Sequence, residues 1–215
     1  ALALDPDSVT GRVGLSQALL RKGDITSAGD ELFEALRRHP DNALARSALG
    51  ELQLWSGDFA HGWDNYEARL EHAEMRRFPF PRWNGERPVP GALLVYSEQG
   101  IGDMMLFASC LPDVADVEQL IVEAPERLLS IFARSFPDAR VVPYAGSERP
   151  RWLREVPRIT AAISAGSLMR LFRRSPDSFP PAAGYLKADA QRVANWRNRL
   201  ARHSGRLKVG VSWRG

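Results

Sequence analysis

The residues with the most distinctive chemistry lie in one short loop, Ser97-Glu98-Gln99-Gly100-Ile101-Gly102-Asp103. The loop follows an apolar run at residues 92–95 and precedes an apolar helical stretch that ends at Leu111. Its two glycines allow a tight turn and let a ligand approach the backbone closely. Asp103 opens the predicted helix, where the helix dipole stabilises a carboxylate anion.

Three interpretations of this loop remain open. In the first, Gly100 and Gly102 begin a dinucleotide fingerprint, and Glu123, about 20 residues further on, binds a ribose. Met105 stands at the third glycine position of that fingerprint, which weakens this interpretation. In the second, the glycines serve a turn and Asp103 is a helix N-cap. In the third, Asp103 is a general base that takes a proton from an attacking sugar hydroxyl. Spacing alone does not choose between the second and the third.

The sequence upstream of the loop repeats with a period of 34 residues. Pro6 recurs as Pro40, and Gly23 recurs as Gly57. A period of about 34 residues with two helices per unit is typical of tetratricopeptide repeats. The repeat predicts four helices, at residues 8–21, 25–38, 43–55 and 59–72.

The repeat divides residues 1–74 into a partial unit and two full units, at 1–6, 7–40 and 41–74. Asp7 and Asp41 are predicted to cap the first helix of each pair, and a glycine ends it. Small residues at Ala28 and Gly62 let the paired helices approach closely. Arg69 stands where the repeat pattern expects alanine. Because the first residues match the end of a repeat, we expect the chain to begin inside a longer array.

The second half of the chain has a different pattern. Residues 75–91 are rich in proline and are predicted to be a linker that is neither helix nor strand. Short apolar runs then alternate with helical patterns. Strands are predicted at residues 92–95, 120–123, 140–143, 161–164 and 207–213, and helices at 125–136 and 189–203. Such alternation favours a parallel sheet covered on both faces, with ligands beyond the carboxyl ends of its strands. The predicted fold class is therefore α + α/β.

Composition excludes several classes of protein. With 44% hydrophobic and 26% charged residues, the 215-residue chain has a globular composition. A single cysteine, Cys110, excludes an internal disulfide and a cysteine-based zinc site. The four histidines have no ligand spacing, so we expect neither a metal nor a cofactor. No apolar run approaches the ~18 residues of a membrane helix, so no membrane span is predicted. A reducing, cytoplasmic setting is expected.

Charge is distributed unevenly along the chain. Residues 1–147 carry 14 Lys and Arg against 22 Asp and Glu, a net charge of −8. Residues 148–215 carry 15 against 4, a net charge of +11. The basic part could meet phosphates or an acidic partner, or it could be a solvated surface. Nucleic acid is not expected as a partner, because the arginines have no interleaved stacking aromatics.

Several motifs together resemble one family. Trp83-Asn84-Gly85, Gly91-x-Leu93-Leu94-Val95 and the segment from Glu98 to Asp103 resemble the start of heptosyltransferase-like (family 9) glycosyltransferase domains. In bacteria these domains are often fused behind tetratricopeptide repeats, and residues 57–67 resemble the last repeat of such fusions. Later landmarks follow in order at residues 167–168, 185–189 and 209–215. One landmark, Ser-Leu-Pro in the family, reads Ser167-Leu168-Met169 here.

The resemblance implies a metal-independent GT-B fold, in which two Rossmann-like domains face each other across a cleft. Residues 92–206 would form the N-terminal, acceptor-side domain, and residues 207–215 the first strand of a donor domain that this chain lacks. The family's catalytic carboxylate falls on Asp103. The acceptor loop falls on Glu98, Gln99, Gly100, Gly102 and Ser167, and Arg214 would contact a donor phosphate.

Two functions are expected from these observations. One is a fragment of a bacterial glycosyltransferase that moves a sugar from a nucleotide-sugar to an acceptor protein or glycan, with repeats that bind a protein. Such a fragment would be inactive alone, because its donor-binding domain is absent. The alternative is an interaction or scaffold module whose α/β half is not catalytic.

Overall fold

The structure, a computed structural model, describes residues 2–71, 76, 78–147, 149–181, 184–203 and 205–211. Its first part is a series of helices: α1 (Val9–Arg21), α2 (Ile25–Arg38), α3 (Ala43–Trp55), α4 (Phe59–Tyr66) and a 3-10 helix (Glu67–Glu71). We refer to this part as the helical unit. α1 and α3 have the same length and start 34 residues apart, which confirms the predicted helix pairs.

The helix caps differ from the prediction by one residue. Ser8 and Asn42, rather than Asp7 and Asp41, accept a hydrogen bond from the backbone N–H three residues further on. An N-cap side chain must reach that amide, and both Ser and Asn do so well. Residues 2–4, within the predicted partial unit at residues 1–6, form a turn.

The glycines that end α1 and α3 have the predicted role. Gly23 and Gly57 have positive φ angles of 83° and 86°. Asp24 and Asp58 follow them and cap the next helix with their side chains. α4 is shorter than predicted, because the chain tightens into the 3-10 helix after Tyr66. His72, the predicted helix end, lies outside the described residues.

A four-stranded sheet follows. Its strands are β1 (Val89–Tyr96), β2 (Val117–Ala124), β3 (Ala139–Pro143) and β4 (Ile159–Ser164). All neighbours are parallel and the order is β3-β2-β1-β4. The chain therefore has the predicted α + α/β class. β1 begins inside the predicted linker, because Val89 already pairs with Val117; the register then shifts before Ala92, and Gly91 between them has a φ of 87°.

Helical segments connect and follow the strands, and with the sheet they make up the α/β unit. The α-helices are α5 (Ile101–Phe107), α6 (Leu129–Ser135), α7 (Ser167–Phe172) and α8 (Ala190–Ala201). The 3-10 helices are Ala108–Asp113, Glu126–Leu128, Arg151–Arg154 and Pro176–Ser178. The helix predicted at 125–136 is thus a 3-10 turn that continues as α6.

Both faces of the sheet are covered, as predicted. Leu93 and Val95 point to a core that includes Phe107 of α5 and Phe132 of α6. Leu94 points to the opposite core, which Trp152, Phe78 and Phe80 help to close. Helices cover one face, whereas a 3-10 turn and an aromatic segment cover the other. Alternation of side chains along β1 produces this arrangement.

The predicted strand at 207–213 is not found over residues 207–211. These residues form neither helix nor strand, and Leu207 and Val209 are 91% and 74% exposed. A strand needs a neighbour to satisfy its backbone groups, and these residues have none within the described chain. Trp213 lies outside the described residues. α8 matches its prediction, but none of its residues is buried.

Candidate functional site

Asp103 lies at the carboxyl edge of the sheet, just beyond β1. Gly100, rather than Asp103, is the N-cap residue of α5, and Asp103 is the third residue of that helix. Its Oδ2 accepts a hydrogen bond from the Gly100 backbone N–H at 3.1 Å. The Asp103 side chain is exposed, and a Cβ placed at Gly102 would meet no heavy atom within 4 Å. The carboxylate is therefore oriented by the loop and accessible to a ligand.

Glu98, in contrast, is enclosed. Its side chain is 3% exposed, and Oε1 lies 2.7 Å from Nη2 of Arg69. The same oxygen accepts the backbone N–H of Gly166, which follows β4, at 3.1 Å. One carboxylate thus links the loop after β1, the loop after β4 and the helical unit.

Gln99 and Ser167 also contact the helical unit. The Gln99 Nε2 donates to the Tyr66 hydroxyl at 2.8 Å. Burial raises the pKa of that hydroxyl above its ordinary value, and the hydrogen bond with Gln99 acts in the opposite direction. Ser167 donates to Glu67 Oε1 at 2.8 Å and lies 2.7 Å from the Ser164 hydroxyl. The structure therefore brings the predicted acceptor-loop side chains together, and it joins them to the last helices of the repeat.

We call this group of residues the polar junction: Glu67, Arg69, Glu98, Ser164, Gly166 and Ser167. It lies where the strand order reverses, between the carboxyl ends of β1 and β4, which is the usual ligand crevice of open α/β sheets. Arg82 borders it and pairs with Glu67. Burial lowers the pKa of Arg82, and the nearby charge of Arg170 lowers it further.

Glu123, the ribose ligand of the dinucleotide interpretation, is fully buried. Its carboxylate pairs with both terminal nitrogens of Arg76, at 3.0 and 2.5 Å, and accepts the Ser97 backbone N–H at 3.3 Å. These contacts leave no room for a ribose hydroxyl, so the dinucleotide interpretation is wrong at Glu123. Glu123 instead anchors the loop after β1.

Sequence reasoning missed the contributions of Glu67 and Arg76, which lie far from the loop along the chain. It singled out Arg69 only as a departure from the repeat. That departure was the available signal, because a charged residue at a buried repeat position needs a partner. Arg214 lies outside the described residues.

Two other kinds of site, a metal site and a membrane span, are absent from the described residues. The described residues hold no group of three or more His, Cys, Asp or Glu side chains placed to bind a metal ion. None of the helices seen in the structure has the length and apolar character needed to cross a bilayer.

The chain is similar to a bacterial protein. No family model matches the chain. The chain is 29% identical to Protein FlbA of Caulobacter vibrioides over 233 aligned residues. The alignment covers 100% of this chain and 39% of that protein, so the chain spans about two fifths of the relative's length.

Proposed function

We propose that this chain is the acceptor-side part of a glycosyltransferase in which Asp103 is the general base. The observation that carries the proposal is the position of Asp103. The exposed Asp103 carboxylate lies in the first turn of α5, beyond the carboxyl end of β1, with free space beside Gly102. A base in that position can approach an acceptor hydroxyl without displacing a side chain.

The chemistry follows from the carboxylate's surroundings. As the acceptor oxygen forms a bond to the anomeric carbon of a nucleotide-sugar, the bond to the nucleotide breaks and the hydroxyl becomes acidic. Asp103 takes that proton in the transition state, which requires it to lie about 2.6–3.2 Å from the hydroxyl oxygen. The Gly100 N–H holds one carboxylate oxygen and thereby fixes the direction of the group.

The topology is compatible with this proposal. The order β3-β2-β1-β4 is the order of the first four strands of a Rossmann-like sheet. A Rossmann-like acceptor domain and a GT-B arrangement are therefore part of the proposal, with tetratricopeptide repeats in front of it. In this proposal, the nucleotide-sugar donor binds to another part of a longer protein that contains this chain.

The test uses the full-length protein with a panel of UDP-, GDP- and ADP-sugars, and it measures nucleotide release. Asp103→Asn keeps an oxygen that can accept the Gly100 N–H but removes the base, so turnover is expected to fall by about 10²–10⁴-fold. The thermal midpoint should hardly change. Asp138→Asn, an exposed residue before β3, is the matched control and should keep full turnover. Equal turnover of Asp103→Asn and wild type would contradict the proposal.

A second candidate function has its own support. Glu98, Gln99 and Ser167 are all engaged by the helical unit, as expected if the α/β unit is a scaffold. Phe33 and Trp55 of the helical unit are 59% and 74% exposed, which suits a protein-binding surface. An interaction module predicts no sugar transfer by the wild-type full-length protein, whereas a transferase predicts transfer that depends on Asp103.

A further inference from the structure

The second helix pair departs from the first at one buried position. Ala35 in α2 and Arg69 in the 3-10 helix are equivalent at the 34-residue offset. Ala35 is fully buried among the helices, and Arg69 is only 5% exposed. An arginine buried in place of an alanine costs several kcal/mol of desolvation unless its charge is paired and its N–H groups are bonded. The partners of the Arg69 side chain therefore show which contacts the arginine makes in place of an alanine.

Two of those partners, Glu98 and Ser164, lie in the α/β unit. Arg69 Nη2 is 2.7 Å from Glu98 Oε1 and 3.3 Å from the Ser164 hydroxyl. Nη1 bonds the Tyr66 carbonyl and Glu67, both at 3.1 Å. The guanidinium also stacks over the Tyr66 ring, 4.5 Å from its centre. One side chain thus connects the last helix of the repeat to the carboxyl ends of β1 and β4.

The backbone of the helical unit changes at the same place. α2 continues as an α-helix to Arg38, whereas the equivalent part of the second pair becomes the 3-10 helix Glu67–Glu71. The change begins at Glu67, the first residue of the polar junction. The second helix pair therefore departs from the regular α-helix of the first pair at the residue where contacts with the sheet begin.

The opposite side of the polar junction, at Gly166, is tightly packed. A methyl group on Gly166 would lie 2.5 Å from Glu98 Oε1 and 2.6 Å from Arg69 Nη2. Real Cβ atoms do not approach other atoms that closely, so a side chain at position 166 would displace the paired ends of Glu98 and Arg69 from their present positions. The junction is a fitted contact and not a pair of surface charges.

We propose that Arg69 is a positioning residue, through which the helical unit holds the loop of residues 97–103 in place. Arg69 fixes Glu98, and Tyr66 beneath its guanidinium fixes Gln99. Asp103 lies four residues further along the same loop, so its direction depends on the helical unit. The effect on catalysis rests on the proposed function; the effect on the loop does not.

Hydrogen exchange of the 215-residue chain tests the effect on the loop. Arg69→Met keeps most of the side-chain volume and removes the charge. In this variant, amides of residues 97–107 are expected to exchange about tenfold to a hundredfold faster, while those of residues 117–124 keep their wild-type rate. Arg12→Met is the matched control, because it breaks the 2.7 Å Arg12–Glu31 pair inside the helical unit and should leave residues 97–107 unchanged.

Glu98→Gln is the second variant, for use if Arg69→Met does not fold. It removes the same ion pair and keeps an oxygen that can accept the Gly166 N–H. The double variant should exchange no faster than the faster single variant, since both remove one interaction. Wild-type exchange of residues 97–107 in a folded variant that lacks the ion pair would overturn the inference.

Turnover of the full-length protein separates this inference from the proposed function. Arg69→Met is expected to lower kcat with little change in the KM for the donor, because it disturbs the base and not the donor site. Faster exchange of the loop without any wild-type sugar transfer would support the positioning role and contradict the transferase. Wild-type exchange of the loop in Arg69→Met, together with turnover that depends on Asp103, would contradict the positioning role and support the transferase.

Discussion

Cys110 illustrates how completely the core of the α/β unit excludes solvent. Its side chain is fully buried, and its Sγ lies 3.3 Å from the sulfur of Met169. Burial raises the pKa of the thiol to about 11, and the charge of Arg173 opposes that rise with a smaller effect. A thiol in such surroundings has neither the exposure nor the thiolate character that reactivity requires.

Native Cys110 is therefore expected to resist a disulfide reagent. At about pH 8, the folded chain should react at least ~100-fold more slowly than the chain in denaturant, because reaction must await opening of the core. The absorbance of the released thiol measures both rates. Rapid labelling of one thiol per folded chain would contradict the burial described here.

The candidate site shows at residue level what the sequence predicts and what it does not. The turn of Gly100 and Gly102 before a helix follows from local preferences, and it puts Asp103 near the correct position. The partners of Glu98 do not follow, because Arg69 and Gly166 lie 29 and 68 residues away and only the assembled fold brings them together. The same holds for the Arg76–Glu123 pair.

The packing of α3 against α4 depends on glycine at the scale of elements. A methyl group on Gly50 would lie 2.4 Å from the Tyr66 backbone nitrogen and 2.8 Å from the Gly62 carbonyl. Both are backbone atoms of the packed helix, which cannot move aside alone. Gly50 therefore sets the separation of the two helices.

Gly50→Ala is expected to destabilise the chain by about 2 kcal/mol or more, which lowers the thermal midpoint by roughly 4 °C or more. Gly14→Ala is the matched control within a helix. No heavy atom lies within 4 Å of a Cβ at Gly14, so the better helix former should stabilise the chain by up to ~1 kcal/mol. Circular dichroism during heating compares the two. A neutral Gly50→Ala variant would contradict the close approach.

The presence of the helices and strands was easier to predict from the sequence than the residues at which they begin and end. The 34-residue repeat predicted α1 to α3, and short apolar runs predicted the four strands, because the sheet is buried on both faces. The end of α4 and the start of β1 depend on tertiary contacts, the polar junction in one case and the pairing of Val89 with Val117 in the other. Residues 207–211 have a strand-like composition but no neighbour within the described chain, so composition alone was misleading.

The acidic first part and the basic last part of the sequence form ion pairs with each other within the molecule. Asp64 of α4 pairs with Arg170, which lies in α7, and with Arg174, which follows α7. Asp113 pairs in the same way with Arg173. Acidic residues of the first part thus meet basic residues of the last part, and the Asp64 pairs join the helical unit to the α/β unit.

Asp64 makes this connection dependent on pH. The hydrogen bond from Arg174 is the largest cause that lowers the Asp64 pKa, to about 2; partial burial opposes it and Arg170 adds to it. Because the folded pKa lies below the ordinary value of 3.8, the anion is favoured in the folded state. The resulting stability is present above about pH 4 and is lost as the pH falls towards about 2.

Asp64→Asn is therefore expected to lower the thermal midpoint near neutral pH and to have no effect in strong acid. The carboxylate is 41% exposed, so solvent screening limits its contribution to less than about 1 kcal/mol, or roughly 1–3 °C at about pH 6. At about pH 2, the difference between wild type and variant should have nearly disappeared, because the folded wild-type carboxylate is then about half protonated and most of the linked stability is lost. Asp177→Asn, an exposed residue after α7, is the control and should follow wild type at both pH values. A difference between Asp64→Asn and wild type that stays constant from about pH 6 to about pH 2 would show that packing, and not charge, holds α4 against α7.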